Sequence, residues 1–170
     1  MAYQGTALWR EPEGPCLRNF NERKAVDSVN GALALRPQIE RIVDQLWEEG
    51  FDGIWYMGIG GTWASALQAE VYLRGKTALP VYAENAAEFL TTGNRRFTSQ
   101  SVLVYSSVSG NTKEMVELVD KVKALGARVV AFIDTPGSAL TQPGKWDHLI
   151  CYPQNEQLKF YMVANYLLYK

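Results

Sequence analysis

The chain is poor in the residues that build metal sites and disulfide frameworks. It contains two cysteines, Cys16 and Cys151, and one histidine, His148, in 170 residues. The two cysteines are far apart in the sequence and have no metal-ligand spacing, and there is a single histidine, so we expect no metal site and no disulfide. Unpaired thiols are typical of a reducing compartment, and we therefore expect a cytoplasmic protein.

Net charge and long apolar runs are scarce as well. The formal net charge is -1, which gives no general attraction to nucleic acid or to an anionic membrane surface. No apolar run approaches the roughly 18 residues that a membrane-spanning helix needs. Arg10, Glu11 and Glu13 stand where a secretory signal would have its apolar core. We expect neither nucleic acid nor a membrane among the partners.

What the chain does contain is a regular alternation of apolar runs and helical patterns. Short apolar runs at residues 53–57, 79–83, 102–105, 128–133 and 148–152 predict five strands. Helical periodicity separates them and recurs after the last one, with one helix starting near Pro37 and ending at Gly50. Strands joined by helical crossovers predict an α/β fold, a three-layer αβα sandwich around a five-stranded parallel sheet of flavodoxin-like type. Residues 1–34, which glycines and prolines interrupt, are predicted to be an irregular arm, and residues 35–170 the domain.

Two strand-to-helix junctions carry the functional signal. Residues 106–112 read Ser-Ser-Val-Ser-Gly-Asn-Thr, and residues 58–62 read Gly-Ile-Gly-Gly-Thr. The first N–H groups of a helix favour an anion, and the carboxyl ends of parallel strands are where ligands bind, so both junctions are candidate phosphate sites. The alternative is that Ser109 and Thr112 only cap a helix, while Gly60 and Gly61 only permit a tight turn.

The known nucleotide-binding motifs do not fit these junctions. The third glycine of a dinucleotide fingerprint would fall on Trp63, and no Gly-Lys-Ser/Thr follows as in a Walker loop. We therefore expect no cofactor.

The two junctions together resemble those of the sugar isomerase (SIS) domain family. The resemblance rests on Gly-Ile-Gly-Gly-Thr-Trp-Ala-Ser-Ala from residue 58, Ser-Ser-Val-Ser-Gly-Asn-Thr-Lys-Glu from residue 106, and Thr-Pro-Gly-Ser-Ala-Leu-Thr from residue 135. It covers roughly residues 35–168. The chain is similar to the amino-terminal SIS half of glucosamine-fructose-6-phosphate aminotransferases, and more so to fructosamine-6-phosphate deglycases, which favour Gly-Asn-Thr at residues 110–112. Where the aminotransferases have a glutamine, this chain has Val108.

That resemblance implies a phosphosugar site and assigns its residues. The phosphate would be held by the side chains of Thr62, Ser107, Ser109 and Thr112, by the N–H groups of Val108 and Gly110, and by the turn at Gly60 and Gly61. The expected ligand is a sugar phosphate, and the expected reaction is proton transfer at C1 and C2 of a fructosamine 6-phosphate or ketohexose 6-phosphate.

The resemblance implies that the acid and base of this reaction lie outside this chain. In two-domain relatives a glutamate and a histidine of the second SIS half do this chemistry, so we expect this chain to be the first half of such a protein. The local carboxylates to consider are Glu84, Glu88 and Glu156. Glu88 has an alternative role, since it stands three residues after Asn85 as in a helix capping box.

Other functions stay open at this stage. The chain could be a sugar-phosphate sensing module, although no helix-turn-helix or basic patch precedes residue 35. It could also be a complete isomerase with a site between subunits, to which His148 would contribute; an ordinary edge position is the alternative for His148. Arg95 and Arg96 could line an anion pocket or be solvated. A homodimer or larger homo-oligomer is expected.

Overall fold

A computed structural model describes residues 22–152 of the chain as a parallel sheet between two layers of helices. The strands are β1 (Ile54–Gly58), β2 (Val81–Asn85), β3 (Val102–Ser107), β4 (Arg128–Ile133) and β5 (His148–Cys151). The helices are α1 (Glu22–Ala34), α2 (Arg36–Glu49), α3 (Gly61–Arg74), α4 (Ala86–Thr92) and α5 (Lys113–Leu125), with a 3-10 turn at Ala139–Thr141. All paired strands are parallel, in the order β2-β1-β3-β4-β5. The predicted α/β fold with a five-stranded parallel sheet is confirmed.

Alternate side chains of each strand enter two separate hydrophobic cores. Tyr56 of β1 packs in a core with buried residues of α1, α2 and α3, such as Ile39 and Ala69. Its neighbours Trp55 and Met57 pack in the other core, with α4 and α5. Since both faces are covered, the central strands are mostly apolar, and β3 is buried at all six positions.

The expectation of an irregular arm is wrong for residues 22–34, which form α1. A distant residue stabilises this helix: the Tyr152 hydroxyl donates a hydrogen bond of 3.2 Å to the carbonyl of Ser28. Gly31 makes room for that ring, because a Cβ there would overlap the Tyr152 hydroxyl. The helix therefore depends on a contact from the end of the sheet, which local periodicity does not reveal. Residues 1–21, and the helix predicted after residue 156, lie outside the described residues.

The order of the strands places the two junctions side by side. The chain moves from β1 outward to β2 and then returns to β3 on the other side of β1, so strand order reverses between β1 and β3. Met57 is level with Tyr105, and Ser107 with Ile133, so the ends of β1, β3 and β4 share one edge. Ligands of doubly wound sheets bind at such a reversal. None of the helices within residues 22–152 combines the length and hydropathy needed to cross a bilayer.

Tyr105 of β3 makes the folded protein sensitive to alkaline pH. Its side chain is 1% exposed, its hydroxyl has no hydrogen-bond partner among residues 22–152, and burial raises the pKa of the phenol well above its ordinary value of 10. The unfolded chain therefore loses this proton at a lower pH than the folded chain, and stability falls as pH rises above about 10.

We predict that Tyr105→Phe is more stable than the parent at neutral pH by about 1 to 3 kcal/mol, since it removes an unpaired buried hydroxyl. Above pH 10 the parent loses about 1.4 kcal/mol more per pH unit than the variant. Urea unfolding between pH 7 and pH 11 measures both effects. Equal pH slopes in the two proteins would rule out a role for this phenol.

Candidate functional site

The turn between β1 and α3 is closed by the hydroxyl of Thr62. Thr62 Oγ1 accepts a hydrogen bond from the N–H of Ile59 at 3.1 Å and donates to the carbonyl of Ile59 at 3.0 Å. Gly58 permits this closure, because a Cβ on it would stand 2.6 Å from Thr62 Oγ1. The first helical bond runs from the N–H of Ala64 to the carbonyl of Gly60 at 3.0 Å. The preceding N–H groups of α3 thus face the edge of the sheet without a helical partner.

The loop between β3 and α5 is organised by its serines. Buried Ser107 accepts a 3.0 Å hydrogen bond at Oγ from the N–H of Gly110. Ser109 Oγ accepts one of 3.2 Å from the N–H of Asn111 and lies 3.5 Å from Thr112 Oγ1. All three serine and threonine hydroxyls keep the capacity to donate to a ligand.

Thr112 is the N-cap residue of α5, but its hydroxyl does not cap the helix. The first helical bond runs from the N–H of Val116 to the carbonyl of Thr112 at 3.0 Å. The N–H groups of Lys113, Glu114 and Met115 therefore have no carbonyl partner within α5. This geometry favours the anion-binding alternative over simple capping by Thr112.

A cavity of about 260 Å³ lies between these two junctions. The residues that line it are Ile59, Gly61, Thr62, Ser106, Ser107, Val108, Ser109, Thr112 and Met115. Six of the eight predicted phosphate-site residues are among them, and the structure thus brings both junctions to one cavity. Gly60 and Gly110 do not line it. The N–H of Gly110 is already bonded to Ser107, and the hydroxyl of Thr62 is bonded to Ile59.

The electrostatic character of this cavity comes from backbone dipoles. No ionisable side chain from the described part of the chain lines it, whereas the N-termini of α3 and α5, helices of 14 and 13 residues, both open onto it. Each helix N-terminus carries about half a positive charge. Within residues 22–152 no three His, Cys, Asp or Glu side chains come together as a metal site requires. The cavity is therefore suited to a small anion.

A larger cavity, of about 400 Å³, lies elsewhere on the surface, between α4 and α5. We call it the α4-α5 groove; its lining is Phe89, Gly93, Asn94, Phe97, Lys121, Val122, Ala124 and Leu125. The groove is mostly apolar and does not lie at the carboxyl ends of the strands. Its larger volume would favour the α4-α5 groove as a ligand site. For an anion, however, the hydrogen-bond donors and helix N-termini that converge on the smaller cavity favour that cavity.

Comparison with known proteins shows the family of the chain. A family model described as SIS domain matches residues 52–168. The chain belongs to the SIS domain family. No curated protein matches it.

Solved structures share the fold of this SIS domain at low sequence identity. One, assigned as a phosphosugar isomerase from Salmonella typhimurium LT2, has a TM-score of 0.68 and 18% identity over 79% of this chain and 42% of its own. The C-terminal domain of glucosamine-fructose-6-phosphate aminotransferase from Francisella tularensis has a TM-score of 0.66 and 15% identity, over 86% of this chain and 40% of its own. An Escherichia coli CFT073 protein, solved in complex with a sugar phosphate, has a TM-score of 0.64 and 16% identity, over 75% of this chain and 66% of its own. The chain spans less than half the length of the first two.

The two predicted carboxylates lie outside the cavity of the SIS domain. Glu84, near the end of β2, accepts a 2.6 Å hydrogen bond from Asn94 Nδ2. Glu88 is exposed in the first turn of α4. Asn85 caps this helix, since its Oδ1 accepts a 3.0 Å bond from the N–H of Ala87. Neither carboxylate is brought next to residues 106–112, which we call the hydroxyl loop, and Glu156 falls outside residues 22–152.

The basic candidates also lie away from the cavity. His148 is the first residue of β5, so it lies at the amino edge of the sheet, opposite the cavity. Arg95 and Arg96 are exposed, and Arg96 Nη1 donates a 3.4 Å bond to the Tyr82 hydroxyl. An anion in the cavity would therefore be held without a cationic side chain from the described part of the chain.

The sequence-based assignment missed the contribution of a third loop, residues 134–141 after β4. We call it the β4 loop. Thr135 Oγ1 donates a 2.8 Å bond to the carbonyl of Val108, and the N–H of Leu140 donates one of 3.0 Å to the carbonyl of Gly110. The Thr-Pro-Gly-Ser motif was a signal for this loop, but pairing of β3 with β4 is needed to see what it supports.

Proposed function

We propose that this SIS domain binds the phosphate group of a sugar phosphate in the cavity between β1-α3 and β3-α5. The observation that carries the proposal is the convergence of two helix N-termini on the hydroxyls of Ser107, Ser109 and Thr112. N–H groups and hydroxyls supply neutral donors, and a phosphate dianion supplies strong acceptors, so charge-assisted hydrogen bonds replace a salt bridge. The relatives assigned as phosphosugar isomerases, and the one solved with a sugar phosphate, support this ligand class.

The finer proposal is a role in isomerisation or deglycation of a ketohexose 6-phosphate or fructosamine 6-phosphate. The cavity would fix the phosphate and thereby orient C1 and C2 for proton transfer, which needs an acid or base near neutral pKa. No side chain that lines the cavity within residues 22–152 can serve in this way. We therefore propose that this domain is one half of the catalytic site, with Glu84 as the local carboxylate to test because it lies at the cavity edge of the sheet.

Thermal melting with fructose 6-phosphate tests the binding proposal. At a ligand concentration of 100 times Kd the folded state gains about 2.7 kcal/mol, which corresponds to a rise in melting temperature of roughly 5 to 10 °C for a domain of this size. Fructose, which lacks the phosphate, should give no rise. Absence of a rise with fructose 6-phosphate would refute the proposal, and turnover assays with both substrate classes would separate an enzyme from a binding or sensing module.

We also propose that two copies of the chain associate through the outer face of α3. Ala64, Leu67, Gln68, Val71 and Tyr72 recur at three- and four-residue spacing and are exposed, with Val71 at 71%. None of these five side chains is charged, so the centre of the stripe can face a second copy without repulsion, while Lys76 Nζ lies over the Tyr72 ring at one end. It starts beside Gly61, which lines the cavity, so a second copy there would lie next to the ligand.

Val71→Glu is predicted to convert the protein to a monomer, because a carboxylate would be desolvated at the centre of the stripe. Sedimentation velocity measures the change. Trp47→Glu is the matched control, since Trp47 is also 71% exposed but lies on α2. An unchanged oligomer in Val71→Glu, or a monomeric parent, would contradict the assignment of this face.

A further inference from the structure

One side chain connects the hydroxyl loop to the β4 loop. Asn111 Oδ1 accepts a 2.9 Å hydrogen bond from the N–H of Ala139. The β4 loop also bonds to the hydroxyl loop through Thr135, which donates to the carbonyl of Val108, and Leu140, which donates to the carbonyl of Gly110. These three bonds hold residues 108, 110 and 111 against the β4 loop. Asn111 is the member of this set whose own side chain reaches out of the hydroxyl loop.

The two donor groups of Asn111, its side-chain NH₂ and its backbone N–H, both bond to Ser109. Its Nδ2 donates a 3.0 Å bond to the carbonyl of Ser109, and its N–H donates one of 3.2 Å to Ser109 Oγ. Because the N–H of Asn111 bonds to a lone pair of Ser109 Oγ, the hydroxyl proton of Ser109 points away from that N–H and can be donated to a ligand or to Thr112 Oγ1, which lies 3.5 Å away. Both side-chain polar atoms of Asn111 are thus bonded to backbone groups, and neither is directed at the ligand site.

We propose that Asn111 is a positioning residue of the phosphate site, which holds the Ser109 hydroxyl in its donor orientation by bridging the Ser109 carbonyl to the Ala139 amide. The proposal rests on the proposed sugar-phosphate function and assigns a residue that does not line the cavity. The β4 loop is then the rigid support of the site, and Asn111 is the link through which that support reaches Ser109.

The chemistry of asparagine makes the proposal testable by conservative substitution. Asn111→Asp keeps an acceptor for the Ala139 N–H but loses the donor to the Ser109 carbonyl, and it adds a negative charge beside the site. Asn111→Ala loses both bonds and adds no charge. The second proton of a phosphate monoester dissociates near pH 6, so the parent should bind more tightly at pH 7.5 than at pH 5.5 as the dianion forms.

Isothermal titration with fructose 6-phosphate, at both pH values, provides the test. We expect Asn111→Ala to bind at least 10-fold more weakly than the parent and to keep the tighter binding at pH 7.5. Asn111→Asp should lose this pH dependence or reverse it, since its charge opposes the dianion more than the monoanion. Thr77→Ala is the control: it removes a 3.0 Å bond between a loop side chain and the N–H of Leu79, at the opposite end of α3. Its affinity and pH profile should match the parent.

The outcomes separate this proposal from the one on which it rests. If the parent binds and both Asn111 variants bind with the same affinity and pH profile, Asn111 does not position the site, even where their melting temperatures fall. If the parent itself does not bind fructose 6-phosphate, both proposals fail. Weaker binding by both variants, with a pH profile altered only in Asn111→Asp, supports the positioning role.

Discussion

Replacing Ser109 by Ala and Thr112 by Val together should weaken the binding of fructose 6-phosphate by 100-fold or more. Each substitution removes a hydroxyl donor to a charged acceptor, which is worth about 1.5 to 3 kcal/mol, and each 1.4 kcal/mol corresponds to about tenfold in Kd. Titration calorimetry on the double variant and the two single variants measures the loss and its additivity.

Stability of the ligand-free double variant distinguishes ligand binding from helix capping. Thr112 Oγ1 makes no capping bond, and the bond that Ser109 Oγ accepts from the Asn111 N–H is exposed, so water can replace it in the variant. We therefore expect the free energy of unfolding to stay within about 0.5 kcal/mol of the parent. Asn85→Ala is the control, because Asn85 does cap α4, and its loss should cost about 1 kcal/mol without changing the affinity. A double variant that binds normally and is as destabilised as Asn85→Ala would show that these hydroxyls are only structural.

Gly110→Ala should both destabilise the fold and abolish the binding of fructose 6-phosphate. Gly110 has φ of +64°, and a Cβ on it would overlap both the hydroxyl and the Cβ of Ser138, which is 4% exposed. The left-handed backbone and the overpacking together cost about 2 to 5 kcal/mol. Because the collision lies between the hydroxyl loop and the β4 loop, relief of it must move Ser109 and Thr112.

Gly126→Ala provides the comparison for this prediction. Gly126 ends α5 with φ of +87°, and the nearest atom to a Cβ there would be 3.9 Å away. The variant should lose only the backbone part of this cost, about 1 to 2 kcal/mol, and bind the ligand as the parent does. Urea unfolding and calorimetry on both variants test the pair. Equal destabilisation of the two would mean that the collision with Ser138 is relieved without cost.

The sheet and its helices could be predicted from the sequence because their signals are local. The apolar run at β3 and the periodicity of α5 each specify an element without reference to the rest of the chain. Helix α1 could not be predicted in this way. Its contact with Tyr152 joins residues 124 positions apart, and that proximity arises only when β5 has joined the sheet.

The sequence predicts the location of the candidate site, but it predicts only part of the set of groups that can donate to a ligand. Two glycine- and hydroxyl-rich junctions on a parallel sheet predict where an anion would lie. They do not predict which donors are already used: Thr62 bonds to Ile59 and Gly110 bonds to Ser107. Such local bonds compete with a ligand for the same groups. The role of Asn111 was hidden for a different reason, since its partner Ala139 approaches only through pairing of β3 with β4.

The most direct test of the central claim is an NMR titration of the backbone amides with fructose 6-phosphate. We predict that the largest shift changes fall on residues 61–63 at the start of α3 and on residues 107–115 at the hydroxyl loop and the start of α5, with none from fructose. Changes centred on the α4-α5 groove, at Phe89, Phe97 and Leu125, or no changes at all, would contradict the placement of the phosphate between the two helix N-termini.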